Sequence, residues 1–294
     1  MDRRANSAPS APDMSESITF WLGCNVLRHG DIVHACVDIL RALGVEAKVV
    51  GGPDYCCGNP KEAKLQTAAG MAKRTAQNMV ATGGTRVVAW CPSCHAQMSG
   101  VISRAHPTGF SLNHFAQLLH ERREALAALL VRPVPMQVML HEHYGFDRDI
   151  PINTLLQDLL ALIPGVRVLP GSYRAPGYMC ASLAAMPPVM QAMCERTVAQ
   201  ARELGAQALV TIYHQCHREL LGLDVDGHLP VYNYVQLMAR SMGLEYPDDY
   251  RAWKAAGREA KNLMGAQRVA EAGKALVERA LLPEFARRPW SPTD

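Results

Sequence analysis

"RVVAWCPSC", residues 86–94, decides the reading of the fold. It begins as a β-branched apolar run, the signature of a buried strand. It ends in Cys91-Pro92-Ser93-Cys94, two cysteines around a two-residue turn whose proline suits the first turn of a helix. Upstream, "ITFWLGC" (18–24) and "EAKVV" (46–50) read as strands with a helix over 31–43 between them. A further helix over about 62–81 leads into the strand at 86–91. This βαβαβ alternation predicts an α/β fold, a parallel sheet with helices on its faces.

The pattern then recurs. "QVMLHE" (137–142), a helix over 152–162, "VRVL" (166–169), a helix over 188–204 and "ALVTIY" (208–213) follow the same order. "CPSCHAQM" (91–98) aligns with "YHQCHREL" (213–220), Gly44-Val45 with Gly165-Val166, and Cys57 with Cys180, each about 122 residues on. An internal duplication accounts for this: two similar halves, 16–133 and 134–245. Residues 246–294 read as a helical extension, one helix or two broken at Gly265. Its apolar positions include Trp253, Met264, Val269, Leu276 and Val277, and basic residues outnumber acidic ones. It reads as a helix packed on the body with a solvated face; docking on a partner or a membrane surface is the alternative.

The composition narrows the function classes. A chain of 294 residues, 49% hydrophobic and 19% charged, is that of a globular protein with a full core. A net charge of +3 and the lack of a Lys/Arg run with interleaved aromatics argue against nucleic acid. Apolar runs such as "ALAALLV" (125–131) are too short for a membrane span. Residues 1–15 read as a disordered Ser/Ala/Pro-rich tail without the apolar core of an export signal, with Met14 as an alternative start. The nine cysteines are therefore expected in a reducing, cytoplasmic compartment, where metal or redox chemistry is favoured over disulfides.

Five of them form one series: Cys24, thirty-odd residues, Cys56-Cys57-Gly58, a similar interval, then Cys91 and Cys94. Each falls where a strand ends or just beyond, and the carboxyl ends of strands in an open parallel sheet are where sites assemble. Two cysteines around a two-residue turn have the chelating bite of a zinc or iron–sulfur site, and a helix N-terminus favours thiolate. Gly58 is expected to let backbone approach a bound group closely. Cys36 and Cys194 lack partners at ligand spacing and read as core residues.

This series resembles the cysteine-rich "CCG" domain found in the B-type chain of heterodisulfide reductase, over about residues 18–245. The resemblance implies two tandem CCG repeats, with Cys24, Cys56, Cys57, Cys91 and Cys94 holding a non-cubane 4Fe–4S cluster. It implies one-electron cleavage or formation of disulfides, with substrate sulfur meeting cluster iron. The substrate would be a thiol, a disulfide or protein-bound sulfur. Electrons would pass through a ferredoxin-like C subunit and a flavin-bearing A subunit. Related CCG chains serve quinone-linked dehydrogenases, which keeps open an electron-transfer or membrane-docking role, peripherally bound to a membrane. A zinc-stabilised interaction module is the third reading.

The second half departs from the pattern. Where the repeat calls for cysteines stand Tyr144, Met179-Cys180-Ala181 and Tyr213-His214-Gln215-Cys216. Only Cys180 and Cys216 remain, so a five-thiolate cluster is excluded there. Histidines gather in the same stretches: His141, His143, His214 and His217. Two thiolates and two imidazoles satisfy zinc, making these six residues a second candidate metal set; the alternative is a decayed site lining a substrate pocket or a partner surface. His95, equivalent to His217, is a candidate for tuning the first cluster or capping a helix, a structural role being the alternative. One intact motif of two points toward heterodisulfide-reductase-like complexes of sulfur oxidation, acting on sulfane sulfur.

Overall fold

The computed structural model describes residues 16–58, 64–145 and 150–288. The expected tail, 1–15, lies outside the described residues, as does the start of the helix expected from 62.

In the first half, β1 (Glu16–Gly23), α1 (Gly30–Ala42), β2 (Val45–Gly51), α2 (Leu65–Ala81), β3 (Arg86–Ala89), α3 (Pro92–Gln97), β4 (Ser111–His114) and α4 (Phe115–Glu121) follow in order. The second half matches it with β5 (Met136–His141), α5 (Ile152–Ala161), β6 (Val166–Leu169), a one-turn α6 (Cys180–Leu183), α7 (Pro187–Glu203), β7 (Ala208–Thr211), α8 (His214–Val225), β8 (Val231–Asn233) and α9 (Tyr234–Met242). The sheets have the same topology, β2-β1-β3-β4 and β6-β5-β7-β8, with every pairing parallel. Trp21 faces Ala89 at the end of one sheet as His141 faces Thr211 at the end of the other. The duplication read from the sequence is therefore structural, register included.

The fourth strand of each sheet goes beyond what periodicity predicts. "SLNH" and "VYN" are too short and polar to stand out. The legible signal lies just after them, where each strand turns directly into a helix through a capping box. His114 Nδ1 accepts from Ala116 N while Gln117 Oε1 accepts from His114 N. Asn233 and Gln236 repeat the exchange in the second half.

The halves meet along their strand ends. α1 packs on α9 and, reciprocally, α5 packs on α4. Trp90, just past β3, stacks on Tyr234 with ring centroids 5.5 Å apart, and Phe115 closes on Phe20 at 5.1 Å. Cys36 and Cys194 are fully buried in this core, as expected.

The extension folds back on the body through α10 (Asp249–Ala256), α11 (Ala260–Ala272) and α12 (Leu282–Ala286). Gly265, at φ 77°, breaks α11 where the sequence suggested. Val277 and Phe285 are buried, with Phe285 edge-on to Tyr250, whereas Leu276 is exposed. Much of the basic charge is used locally: Arg251 pairs with Asp224 and Asp248, Lys261 with Glu278, and Arg268 with Asp249. Lys254 is buried and donates to the Glu284 carbonyl. Among the described residues, no helix is long and apolar enough to cross a membrane.

Candidate metal centre

The five cysteines of the first half converge. Cys24 follows the last residue of β1, and Cys56 and Cys57 follow a single 3₁₀ turn beyond β2. Cys91 caps α3, its Sγ accepting from Cys94 N at 3.4 Å, so Cys94 sits one turn on and faces the same way. Cys24, Cys57, Cys91 and Cys94 line one cavity. Cys56 joins them through a hydrogen bond with Cys24.

The cysteine-pair loop is pinned carbonyl by carbonyl. Arg74 donates to Pro53 O, Asn78 to Asp54 O, Trp21 Nε1 to Tyr55 O and Thr75 Oγ1 to Cys56 O, the last at 2.7 Å in a buried setting. Three of these donors stand on α2. Two glycines make the closeness feasible. Gly23 adopts φ 79°, and a Cβ there would stand 3.0 Å from Cys94 Sγ. Gly58, at φ 84°, would drive a Cβ to 2.9 Å from Ala68 O. The glycine at 58 is therefore demanded by its backbone and by the closeness of α2.

The thiols are not equivalent. Hydrogen bonding with Cys56, then burial, then the neighbouring thiols push Cys24 well above the ordinary thiol range. Cys57 and Cys91, with burial, do the same to Cys94. Burial alone would raise Cys91, yet hydrogen bonds with Cys94, Tyr213 and the Cys94 and Ser93 backbones hold it low. A site that favours the Cys91 thiolate and resists those of Cys24 and Cys94 is what the crowded sulfurs show by themselves. A cation among them reverses that repulsion, since a coordinating thiol is deprotonated outright. The donor set and the space kept by Gly23 fit a thiolate-bound metal group.

The remaining wall of the cavity comes from the other half, as Tyr213, His214 and Gln215. Tyr213 Oη lies 3.2 Å from both Cys91 Sγ and Ser93 Oγ. His214 Nδ1 accepts from Trp90 Nε1 at 3.3 Å, which leaves the hydrogen on a buried Nε2 without a partner among the described residues. By sequence alone, Tyr213 is only a decayed position of the repeat and His214 a candidate ligand of the second set. What sequence does not convey is that the two halves fold face to face.

Of the six residues in the second candidate set, four come together. His141, His143, Cys180 and Cys216 are all buried, with ligand atoms within 4.8 Å of one another. Burial would raise Cys216, but Cys180, His143 and His141 hold it well below the ordinary range; the Cys216 charge in turn raises His143 against its burial. His214 belongs to the first cavity, and His217 is turned toward Thr211 Oγ1 at 3.3 Å, so neither joins the quartet. Tyr144, at the position of Cys24, is exposed. His95 is buried against His114 and lines a crevice with Pro92, Tyr178 and Ile152 instead of the cysteine cavity.

Comparison with known proteins agrees with this geometry. The family model of the CCG cysteine-rich domain matches residues 18–99, the span that contains all five converging cysteines. Over residues 18–99 the chain is thus similar to the CCG domain. Beyond the CCG domain, the chain is similar to the D subunit of dihydromethanophenazine:CoB–CoM heterodisulfide reductase. The protein from Methanosarcina barkeri is 22% identical over 242 residues, 77% of this chain and 59% of the relative. That from Methanosarcina acetivorans is 21% identical over 263 residues, 83% and 64% respectively. The chain thus spans about three-fifths of the length of these relatives. Among solved structures, an aspartate racemase homologue from Pyrococcus horikoshii matches at a TM-score of 0.34 and 11% identity, over 78% of this chain and 97% of that one. That likeness is too weak to carry any inference.

Proposed function

We propose that this chain is the iron–sulfur subunit of a heterodisulfide reductase-like complex. Cys24, Cys56, Cys57, Cys91 and Cys94 would hold a non-cubane 4Fe–4S cluster, and the chemistry would be that of thiol, disulfide or sulfane sulfur, as in sulfur oxidation. The observation that carries the reading is the convergence of five thiols from three distant segments on one cavity at the strand ends. When bound, such a cluster exchanges electrons one at a time with a sulfur substrate.

The protein's own groups do the rest. As a ligand, Cys91 has no proton, so Tyr213 donates its O–H to the sulfur, and Ser93 is placed to donate to Tyr213 in turn. His114, neutral, donates Nε2–H to the Trp90 carbonyl at 3.0 Å and so steadies the residue before Cys91. Trp90 orients His214, whose Nε2–H is a fixed donor in the wall that an incoming sulfur would meet. Partly buried Cys24 marks the side nearest solvent, the other four cysteines of the series being buried. A flavin-bearing A subunit and a ferredoxin-like C subunit would exchange the electrons in the cytoplasm, with the functional units at 16–133, 134–245 and 246–294. Oxidation of anaerobically purified protein with a thiol should produce a low-spin paramagnetic signal that Cys57→Ser abolishes. A spectrum without that signal, from protein that does contain iron, would count against sulfur chemistry at the site.

A further inference from the structure

We propose that the second half holds a single zinc ion, bound by His141, His143, Cys180 and Cys216 in a site rebuilt from the remains of the cluster motif. The distances carry this. His141 Nε2 and His143 Nε2 are 3.2 Å apart. Cys180 Sγ lies 3.2 Å from His141 Nε2 and 3.4 Å from His143 Nε2, and Cys216 Sγ lies 3.4 Å from His143 Nε2. With zinc–nitrogen bonds of ~2.0 Å and zinc–sulfur bonds of ~2.3 Å, tetrahedral coordination sets the donor atoms roughly 3.3–3.8 Å from one another. These four pairs stand at nearly that spacing, and all four donor atoms lie within 4.8 Å of one another. A cluster of two or more irons would spread them over a wider cage, and a tetrahedral S₂N₂ set around one ion selects zinc.

The outer contacts are those of a ligand set. His143 donates Nδ1–H to the Pro176 carbonyl at 3.0 Å, which fixes the tautomer with the Nε2 lone pair aimed inward. Cys180 N donates to Cys216 Sγ, and Cys216 lies in the first turn of the twelve-residue α8, where the helix end favours thiolate. A one-residue bridge between His143 and Ala175 extends β5 just far enough to bring both histidines round.

Superposing the repeats by strand register shows that this is replacement and not decay alone. Cys180 and Cys216 keep the positions of Cys57 and Cys94, while His141 stands at the position of Trp21 and His143 at that of Gly23. Gly23 is where a Cβ would crowd Cys94 Sγ at 3.0 Å. In the second half the corresponding space is filled by an imidazole beside the equivalent sulfur. Loss of three cysteines and gain of two histidines at that place convert a five-thiolate cradle into a four-ligand one. Because Tyr213 and His214 lie on the turn that leads to Cys216, zinc here would also brace the wall facing Cys91.

The test is metal analysis of the full chain with its variants, together with cobalt substitution of the wild type. One zinc per chain is expected, retained in Cys94→Ser, which should lose iron. His143→Ala should lower zinc affinity by more than the ~10–100-fold typical of losing an outer-shell partner. Since removing a buried imidazole can also disturb folding, cobalt supplied to wild-type protein gives a second reading: the intense visible bands of a tetrahedral thiolate–imidazole site. Iron lost from His143→Ala with no zinc in the wild type, or a cobalt form without those bands, would overturn the proposal. Zinc retained in a chain that never binds iron would overturn the cluster reading and leave this one standing.

Discussion

Tyr213 Oη stands 3.2 Å from Cys91 Sγ, and these two residues occupy the same position in the two halves of the molecule. A residue can touch its own repeat equivalent only near an axis that exchanges the halves. The reciprocal packing of α1 on α9 and α5 on α4 obeys the same axis. The duplication therefore did more than double the fold: the half that lost its cluster motif supplies the wall of the one that kept it. Tyr213→Phe should remove a donor to the Cys91 thiolate, lowering the cluster's reduction potential because hydrogen bonds to cluster sulfur stabilise the reduced state. The stability cost should be about 1 kcal/mol. Redox titration monitored by paramagnetic resonance checks the sign; an unchanged or raised potential would remove Tyr213 from the account.

Gly23 is required both by its backbone and by Cys94. Gly44 separates the two effects, since it shares a positive φ but has open space where a Cβ would go. Gly44→Ala should cost about 1–2 kcal/mol and leave iron content unchanged. Gly23→Ala should cost more and reduce iron per chain. Equal effects of the two substitutions on metal content would contradict the crowding argument.

Thr75 secures the cysteine pair from behind. Thr75→Val keeps the shape but leaves the buried Cys56 carbonyl without its 2.7 Å donor. Denaturation in urea should show a loss of about 1–3 kcal/mol, with the apolar core otherwise intact. A neutral result would mean that the loop is held without this bond.

His114 makes folding sensitive to acid. Burial, and secondarily His95, push its pKa down to about 3. Between the ordinary histidine value near 6.5 and about 3, the unfolded chain takes up a proton that the native imidazole refuses. Stability therefore falls as pH falls through that window and is fully present above it. Asn233 performs the same capping task without a titrating group. His114→Asn should accordingly lessen the loss between pH 7 and pH 5 by about 2 kcal/mol, measured as urea midpoints at both values. An unaltered pH slope would assign the acid sensitivity elsewhere.

Most of the fold is legible because parallel strands and their helices alternate with clear periodicity, and because the repeat doubles every signal. β4 and β8 escape because four- and three-residue strands carry too little pattern, although the His114–Gln117 and Asn233–Gln236 boxes mark their ends. The first cysteine set is legible from spacing alone, since each member falls at a strand end. The second set is only half legible: sequence offers four histidines near two cysteines. Which two turn inward depends on the β5 bridge at His143 and on Trp90 capturing His214, contacts between segments far apart in the chain. Tyr213 is invisible as a site residue for the same reason, its partner lying across the seam.

The most direct measurement is the iron, sulfide and zinc content of anaerobically purified full-length protein. The account predicts brown protein with ~4 irons and a matching amount of acid-labile sulfide, as a 4Fe–4S cluster requires, and one zinc besides. Colourless protein that takes up no iron on anaerobic reconstitution, its cysteines occupied by zinc alone, would contradict it.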